Sequence, residues 1–203
     1  MTVHDSMLVV GWVATVLTFS SSLPQVVKLV RTHDTHGVSV WTYVLWVATA
    51  LFWAGWGLHV RAVPMVVVNT ALIPLLLIAV VMLHPSPLHI VFMATSAPLL
   101  VISLVVLPDA VAVIGTVLAC LLAVPSVVEV YRTEDPSGVA IGTWVLLGTA
   151  AVLWAIYDSG IGYPWTGISV EVQAVLCCVV IGRTVADRRR LGIGATRPVP
   201  ADR

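Results

Sequence analysis

Seven long apolar runs, each closed by a short polar break, set the pattern of this chain. The runs cover residues 7–30, 39–58, 63–83, 88–107, 110–131, 139–158 and 165–185. The breaks, at 33–37, 59–62, 84–87, 108–109, 133–138 and 159–163, hold prolines, glycines, histidines and charges. Such residues form turns between membrane helices. A helix crossing the hydrocarbon needs about 20 largely apolar residues. The pattern therefore predicts seven transmembrane helices with very short loops. The fourth is the least marked.

Composition strengthens this picture. Hydrophobic residues make up 59% of the 203 and charged residues 10%, with a mean hydropathy of +1.03. Soluble domains carry about 25% charged residues, so lipid has to be the solvent here. The net charge is zero, which argues against a nucleic-acid partner. Cys120, Cys177 and Cys178 all sit in apolar runs and read as small core residues, not as a disulfide or metal set. The N-terminal run reads as a span, not a cleaved leader. It lacks a basic start, carries Asp5 and continues through Pro24.

The chain also repeats itself. The segment from Pro24 to Trp53 returns 101 residues later, from Pro125 to Trp154, with 13 of 30 positions identical and no gap. Apolar matches aside, Pro, Arg, Thr, Asp, Gly, Thr and Trp coincide. A repeat inside a membrane chain marks a transporter with two similar halves and a site between them. Nine of the ten basic residues (Lys28, Arg31, Arg132, Arg183, Arg188, Arg189, Arg190, Arg197 and Arg203) follow the first, fifth and seventh runs. Only Arg61 falls elsewhere. By the positive-inside rule these ends face the cytoplasm. The N-terminus is then outside, the C-terminus inside, and the two copies are parallel. The fourth run carries the chain back across before the second copy begins. The expected fold is all-α integral membrane: two parallel triple-helix bundles joined by a linker helix, in a three-one-three layout. Residues 1–83 form the first bundle, 84–108 the linker, 109–185 the second bundle and 186–203 a solvated basic tail.

The residues Pro24, Gln25, Lys28, Gly37, Val38, Ser39, Trp53 and Trp56-Gly57 resemble the motif of PQ-loop proteins. Within that group the chain most resembles the bacterial SWEET and SemiSWEET sugar transporters. The second copy carries Pro125, Arg132, Gly138, Val139 and Trp154. The resemblance implies a pocket tryptophan in each half, Trp53 and Trp154, and a polar asparagine on the third helix, matched by Asn69. Its implied substrate is a sugar, though PQ-loop relatives also move amino acids.

The residues can be read on their own. A proline inside a helix removes one hydrogen bond and clashes with the preceding turn. In lipid the freed carbonyl needs another partner. Pro24 and Pro125 are thus candidate kinks, and a matched pair is a candidate hinge or gate. Gln25 stands beside the first kink, where the second copy has Ser126. Ser20, Ser21 and Ser22 either satisfy freed carbonyls or line the pathway. An indole offers a flat apolar face and one N–H donor, which suits a sugar's C–H faces and hydroxyls. The counterpart of Asn69 is Val170, with Ser169, Glu171 and Gln173 nearby, so the pocket is asymmetric. Glu171 is costly in a bilayer. It either lies by the pocket, lending proton coupling or cation selection, or sits hydrated at the outer mouth. Asp158 is expected in the outer vestibule or paired with Arg61. Trp12, Trp41, Trp46, Trp56, Trp144 and Trp165 suggest interfacial belts. His33 and His36 flank Asp34 in a solvated loop, without enough ligands for a metal.

No nucleophile-base set, phosphate loop or metal cluster stands out, so an enzyme reading and a cofactor have little support. The leading expectation is facilitated transport of a small neutral solute, a sugar, across the plasma membrane. The alternatives are a proton-coupled amino-acid transporter and a non-transporting receptor on the same fold. Two repeats in one chain make dimerisation unnecessary, and higher oligomers stay open.

Overall fold

The computed structural model describes residues 3–106, 108–134 and 136–191. Asp135 and the tail with Arg197 and Arg203 lie outside the described residues, as does the side chain of Trp165. The helices are α1 (Val3–Thr32), α2 (Val40–His59), α3 (Val63–Met82), α4 (Pro87–Val106), α5 (Pro108–Leu121), α6 (Val124–Arg132), α7 (Ile141–Gly160) and α8 (Pro164–Arg190). A 20-residue helix is about 30 Å long, one hydrocarbon thickness. Helices α2, α3, α4 and α7 have that length, and α1 and α8 exceed it. Among the described residues five segments are long and apolar enough to span a membrane. One of them, Gly115–Arg132, runs from α5 into α6, so the two short helices act as one crossing.

Burial is inverted relative to a soluble protein. Val9, Val16, Leu77, Val81, Leu88, Val152 and Val175 point outward. Ser21, Ser22, Gln25, Thr143, Thr166 and Ser169 are buried. This is what lipid favours: apolar side chains outside and polar side chains within. The protein is an all-helical integral membrane protein. Of the tryptophans expected in interfacial belts, Trp12 is exposed, but Trp46, Trp56 and Trp144 are buried. They serve the packing between helices instead. Cys177 is buried, as a small core residue should be, whereas Cys178 faces outward.

Helix α3 packs against both α1 and α2, and α8 packs against α5, α6 and α7. Between these groups α1 lies along α7, while α2 meets α5 and α6. Each half thus offers its first helix to the other half's second. Helix α4 rests on α2 and α5. The close approach of α1 to α7 needs small residues. A Cβ at Gly11 would come within 2.6 Å of the Tyr157 ring.

The repeated prolines behave differently. Helix α1 runs unbroken through Pro24, with α7 packed along it. In the second copy a turn at Leu122 and Ala123 separates α5 from α6, and Pro125 sits in the first turn of α6. That is a position where a proline's missing N–H costs nothing. Helix α8 runs on to Arg190, five residues past the expected end. Arg183 pairs with Asp187 at 2.9 Å, one turn on, and Asp187 is buried. The start of the expected basic tail is therefore helical.

The loops after α1 and α6 touch, which puts the ends of both copies on one face and makes the repeats parallel. Gly37 takes a left-handed φ of +74°, open to glycine and costly for other residues. A Cβ at Gly138 would run into the backbone of the first loop, 2.7 Å from His36 N and 3.0 Å from Asp34 O. Gly142, by contrast, leaves 3.6 Å to Pro24. We expect Gly138→Ala to force the loops apart and lower the melting temperature of the solubilised protein by at least about 3 °C, since overpacking costs ~1–3 kcal/mol. Gly142→Ala should change it by less than about 1 °C. Equal shifts would refute the close contact of the loops.

Candidate functional site

The touching loops build a clasp. Gln25 is 1% exposed, and both ends of its amide bond the opposite half. Its Nε2 donates to Gly138 O at 3.0 Å, and its Oε1 accepts from Ala140 N at 2.7 Å. The Gln25 backbone N–H donates to Thr143 Oγ1 at 3.1 Å. The repeat equivalents of Gln25 and Thr143 are Ser126 and Thr42, and their hydroxyls lie 2.7 Å apart. The repeat therefore brings the same pair of positions together twice, through the backbone N–H of Gln25 on one side and the side-chain hydroxyl of Ser126 on the other.

Cations close the rest of the clasp. Lys28 Nζ donates to Ser137 O and Val139 O. Arg188 Nη2 donates to Val139 O at 2.6 Å and to Pro136 O and Ser137 O at 3.3 Å each. Arg188, expected in a solvated tail, is brought back to the loop because α8 continues past it. Asp34 accepts from Ser137 Oγ at 2.9 Å and from His36 N at 3.1 Å, with His36 Nδ1 at 2.8 Å. Burial works to raise the Asp34 carboxyl. The bonds from His36 and Ser137 and the charge of Lys28 outweigh it and hold the group below its ordinary 3.8.

Three separate cavities accompany the clasp. One of about 380 Å³, at the end away from the loops, is lined by Met7, Arg61, Tyr157 and Tyr163 among others. A central one holds about 80 Å³. Beside Gln25, Gly37 and Ser126 at the clasp there is about 10 Å³.

The central cavity gathers most of the expected site residues. Trp53, Asn69, Trp154 and Gln173 all line it. So does Ser169, the polar neighbour of Val170, and so do Thr18, Trp46, Thr49 and Asp158, which the repeat and motif do not single out as site residues. Both members of several repeat-equivalent pairs line it: Trp53 and Trp154, Thr18 and Ala119, Trp46 and Leu147, Val68 and Ser169, Asn69 and Val170, and Leu72 and Gln173. Beyond the tryptophan pair, most equivalent positions differ in polarity. Trp154 Nε1 already donates to Thr18 Oγ1 at 2.9 Å. Asn69 Nδ2 donates to Met65 O, one turn back in its own helix, at 2.8 Å. Its amide oxygen keeps its accepting capacity for the cavity.

Glu171 does not join this group. It is exposed and absent from the cavity lining, two positions from Gln173 and so turned away from it on the helix. The carboxylate in the cavity is Asp158. It does not pair with Arg61. It is 3% exposed and accepts a hydrogen bond from Thr166 Oγ1 at 2.8 Å. The sequence held a signal for it: Trp56-Gly57 aligns with Tyr157-Asp158, so an acid stands where the first copy has glycine. Pro24, Gln25, Pro125 and Ser126 lie toward the clasp, away from the cavity. Among the described residues no three His, Cys, Asp or Glu side chains converge on a metal position.

Residues 7–64 match the family model of the PQ loop repeat. The match runs through α1 and α2 into the start of α3 and includes Pro24 and Gln25. It supports placing the chain in the PQ-loop superfamily, whose members suggest membrane transport or a related function. It stops short of the second copy, where Ser126 replaces the glutamine. No curated protein matches the chain.

The Asp34 contacts give a pH dependence with a defined sign. A carboxylate whose folded pKa is lowered stabilises the fold above its unfolded pKa, and loses that contribution as pH falls through the folded value. The stability difference between wild type and Asp34→Asn should therefore be constant from pH 7 to about 4 and shrink below that. Melting temperatures measured at each pH check this. A difference that stays constant down to pH 3 would contradict it.

Proposed function

We propose that the protein is a membrane carrier of a small neutral solute, a mono- or disaccharide, working by alternating access. The observation that carries this reading is the central cavity. It lies between two repeat-related halves, holds the matched pair Trp53 and Trp154, and is separated from one face by a polar clasp. Indole faces suit the C–H faces of a sugar ring, and Asn69, Gln173 and Ser169 suit its hydroxyls. No basic side chain occurs among the described lining residues. The carboxylate of an amino acid would enter without a counter-charge, and burying an unpaired charge is costly.

Transport in this reading is passive. The solute enters from the wide cavity opposite the loops and binds beside Trp53 and Trp154. The two halves then rock, the clasp parts and the outer end closes. The wide cavity faces outside and the clasp the cytoplasm, in the orientation that the basic residues favour. One chain supplies both halves, so no second copy is needed for the pathway. The reading assigns no chemistry to the cavity and needs no cofactor.

Proteoliposome counterflow with labelled glucose, sucrose, lysine and arginine tests this. Sugar exchange without a pH gradient is expected. Trp53→Ala and Trp154→Ala should each cut it about tenfold, the effect of losing ~1.4 kcal/mol of binding. Amino-acid flux that requires a proton gradient would replace this reading with a coupled transporter. Absence of flux for every solute would favour a receptor.

A further inference from the structure

Asp158 has one oxygen the fold does not use. Oδ2 accepts from Thr166 Oγ1 at 2.8 Å, whereas Oδ1 is buried with no hydrogen-bond partner among the described residues. Buried polar atoms nearly always have a partner, and an orphan asks for an explanation. The carboxyl lies near the outer end of the central cavity, one turn beyond Trp154 on α7. Its surroundings are fixed. Thr166 Oγ1 sits 2.7 Å from Tyr163 O, and Ser169 Oγ donates to Thr166 O at 2.8 Å. The Asp158 backbone carbonyl accepts from Tyr163 N at 2.8 Å. The turn between α7 and α8 thus holds the carboxyl in place and leaves one acceptor over.

We infer that Asp158 is the specificity-determining residue of this cavity, its Oδ1 accepting a hydrogen bond from one hydroxyl of a polyhydroxylated solute. The inference rests on the transport reading above. The Trp154 indole N–H is already taken by Thr18, so that tryptophan offers its face more than its donor. Recognition of a hydroxyl proton needs an acceptor near that face, and Asp158 supplies one. In the first half the equivalent residue is Gly57, which has no side chain to offer. The acceptor exists on one side only, so a solute binds in one orientation across the pseudo-twofold axis. A site whose buried acceptor goes unpaired strongly rejects an analogue that lacks the matching donor. Oδ1 is screened from water in this conformer, so it meets the solute as the cavity widens.

The test is binding of glucose and its monodeoxy analogues to the full chain in detergent, by titration calorimetry. Wild type should bind one deoxy analogue at least tenfold more weakly than glucose. Asp158→Ala should bind the two within twofold of each other, and Asp158→Asn should fall between. Melting curves identify variants that fail to fold. If Asp158→Ala is among them, Asp158→Asn carries the comparison, because its amide oxygen can still accept from Thr166. Undiminished discrimination in the folded variants would overturn the inference and leave the sugar reading standing. Binding of choline that depends on Asp158, with sugar discrimination unchanged, would also overturn it and assign the acid to a cation. No sugar binding by wild type would overturn the sugar reading, and the inference with it.

Discussion

The amide of Gln25 is bonded at both ends by the opposite half of the molecule, and the rest of the structure depends on that bond pair. In lipid a polar group has no water to fall back on, so it is paired within the protein or it is costly. Gln25 lies near the end of α1, where the backbone of the next loop still needs partners. Gly138 O and Ala140 N supply both ends of the match. Lys28 and Arg188 then cap the remaining carbonyls of the second loop. Together these contacts join the two halves at the loops; deeper between them Trp154 Nε1 donates to Thr18 Oγ1. A joint made of hydrogen bonds between loops has alternatives when water enters, whereas a buried apolar contact has none. In the transport reading proposed above, the clasp is where the halves part.

Symmetry explains where the joint sits, and its breaking explains why the cavity is not symmetric. Gln25 meets Thr143 through its backbone N–H, and Ser126 meets Thr42 through its hydroxyl; these are equivalent positions paired from either side by different groups. Farther along the axis the equivalent positions diverge. Asn69 corresponds to Val170, Gln173 to Leu72, and Asp158 to Gly57. The matched tryptophans keep the apolar faces common to both halves, while polar groups are distributed singly. Shape and stacking are thus shared between the halves, and hydrogen-bond direction is not.

Much of the fold could be read from the chain because lipid leaves few choices. Apolar runs of crossing length become helices, and the expected spans agree with α1 to α8 within a few residues for most ends. The exceptions have local causes. Helix α8 outruns its apolar segment because Arg183 and Asp187 pair along it and Arg188 finds loop carbonyls. The two prolines, alike in sequence, act differently because α7 lies along α1 while α5 ends in a turn. Trp53, Asn69 and Trp154 follow from the repeat and the family motif, Gln173 from its polarity near Val170, and all four line one cavity. Glu171 was drawn in by its cost in lipid alone, and helix phase turns it outward. Asp158 was assigned to the rim by its nearness to the end of a span. Only the fold of the α7–α8 turn shows it enclosed beside Trp154.

The central claim is that solute passes only when the clasp parts. Asp34 and Ser137 touch across it, so cysteines in their places, with Cys120, Cys177 and Cys178 replaced by serine or alanine, can be joined by oxidation. Sugar counterflow in proteoliposomes should stop when the pair is oxidised and return on reduction, and each single-cysteine control should stay active throughout. Flux that continues at the same rate with the two loops covalently joined would contradict the account.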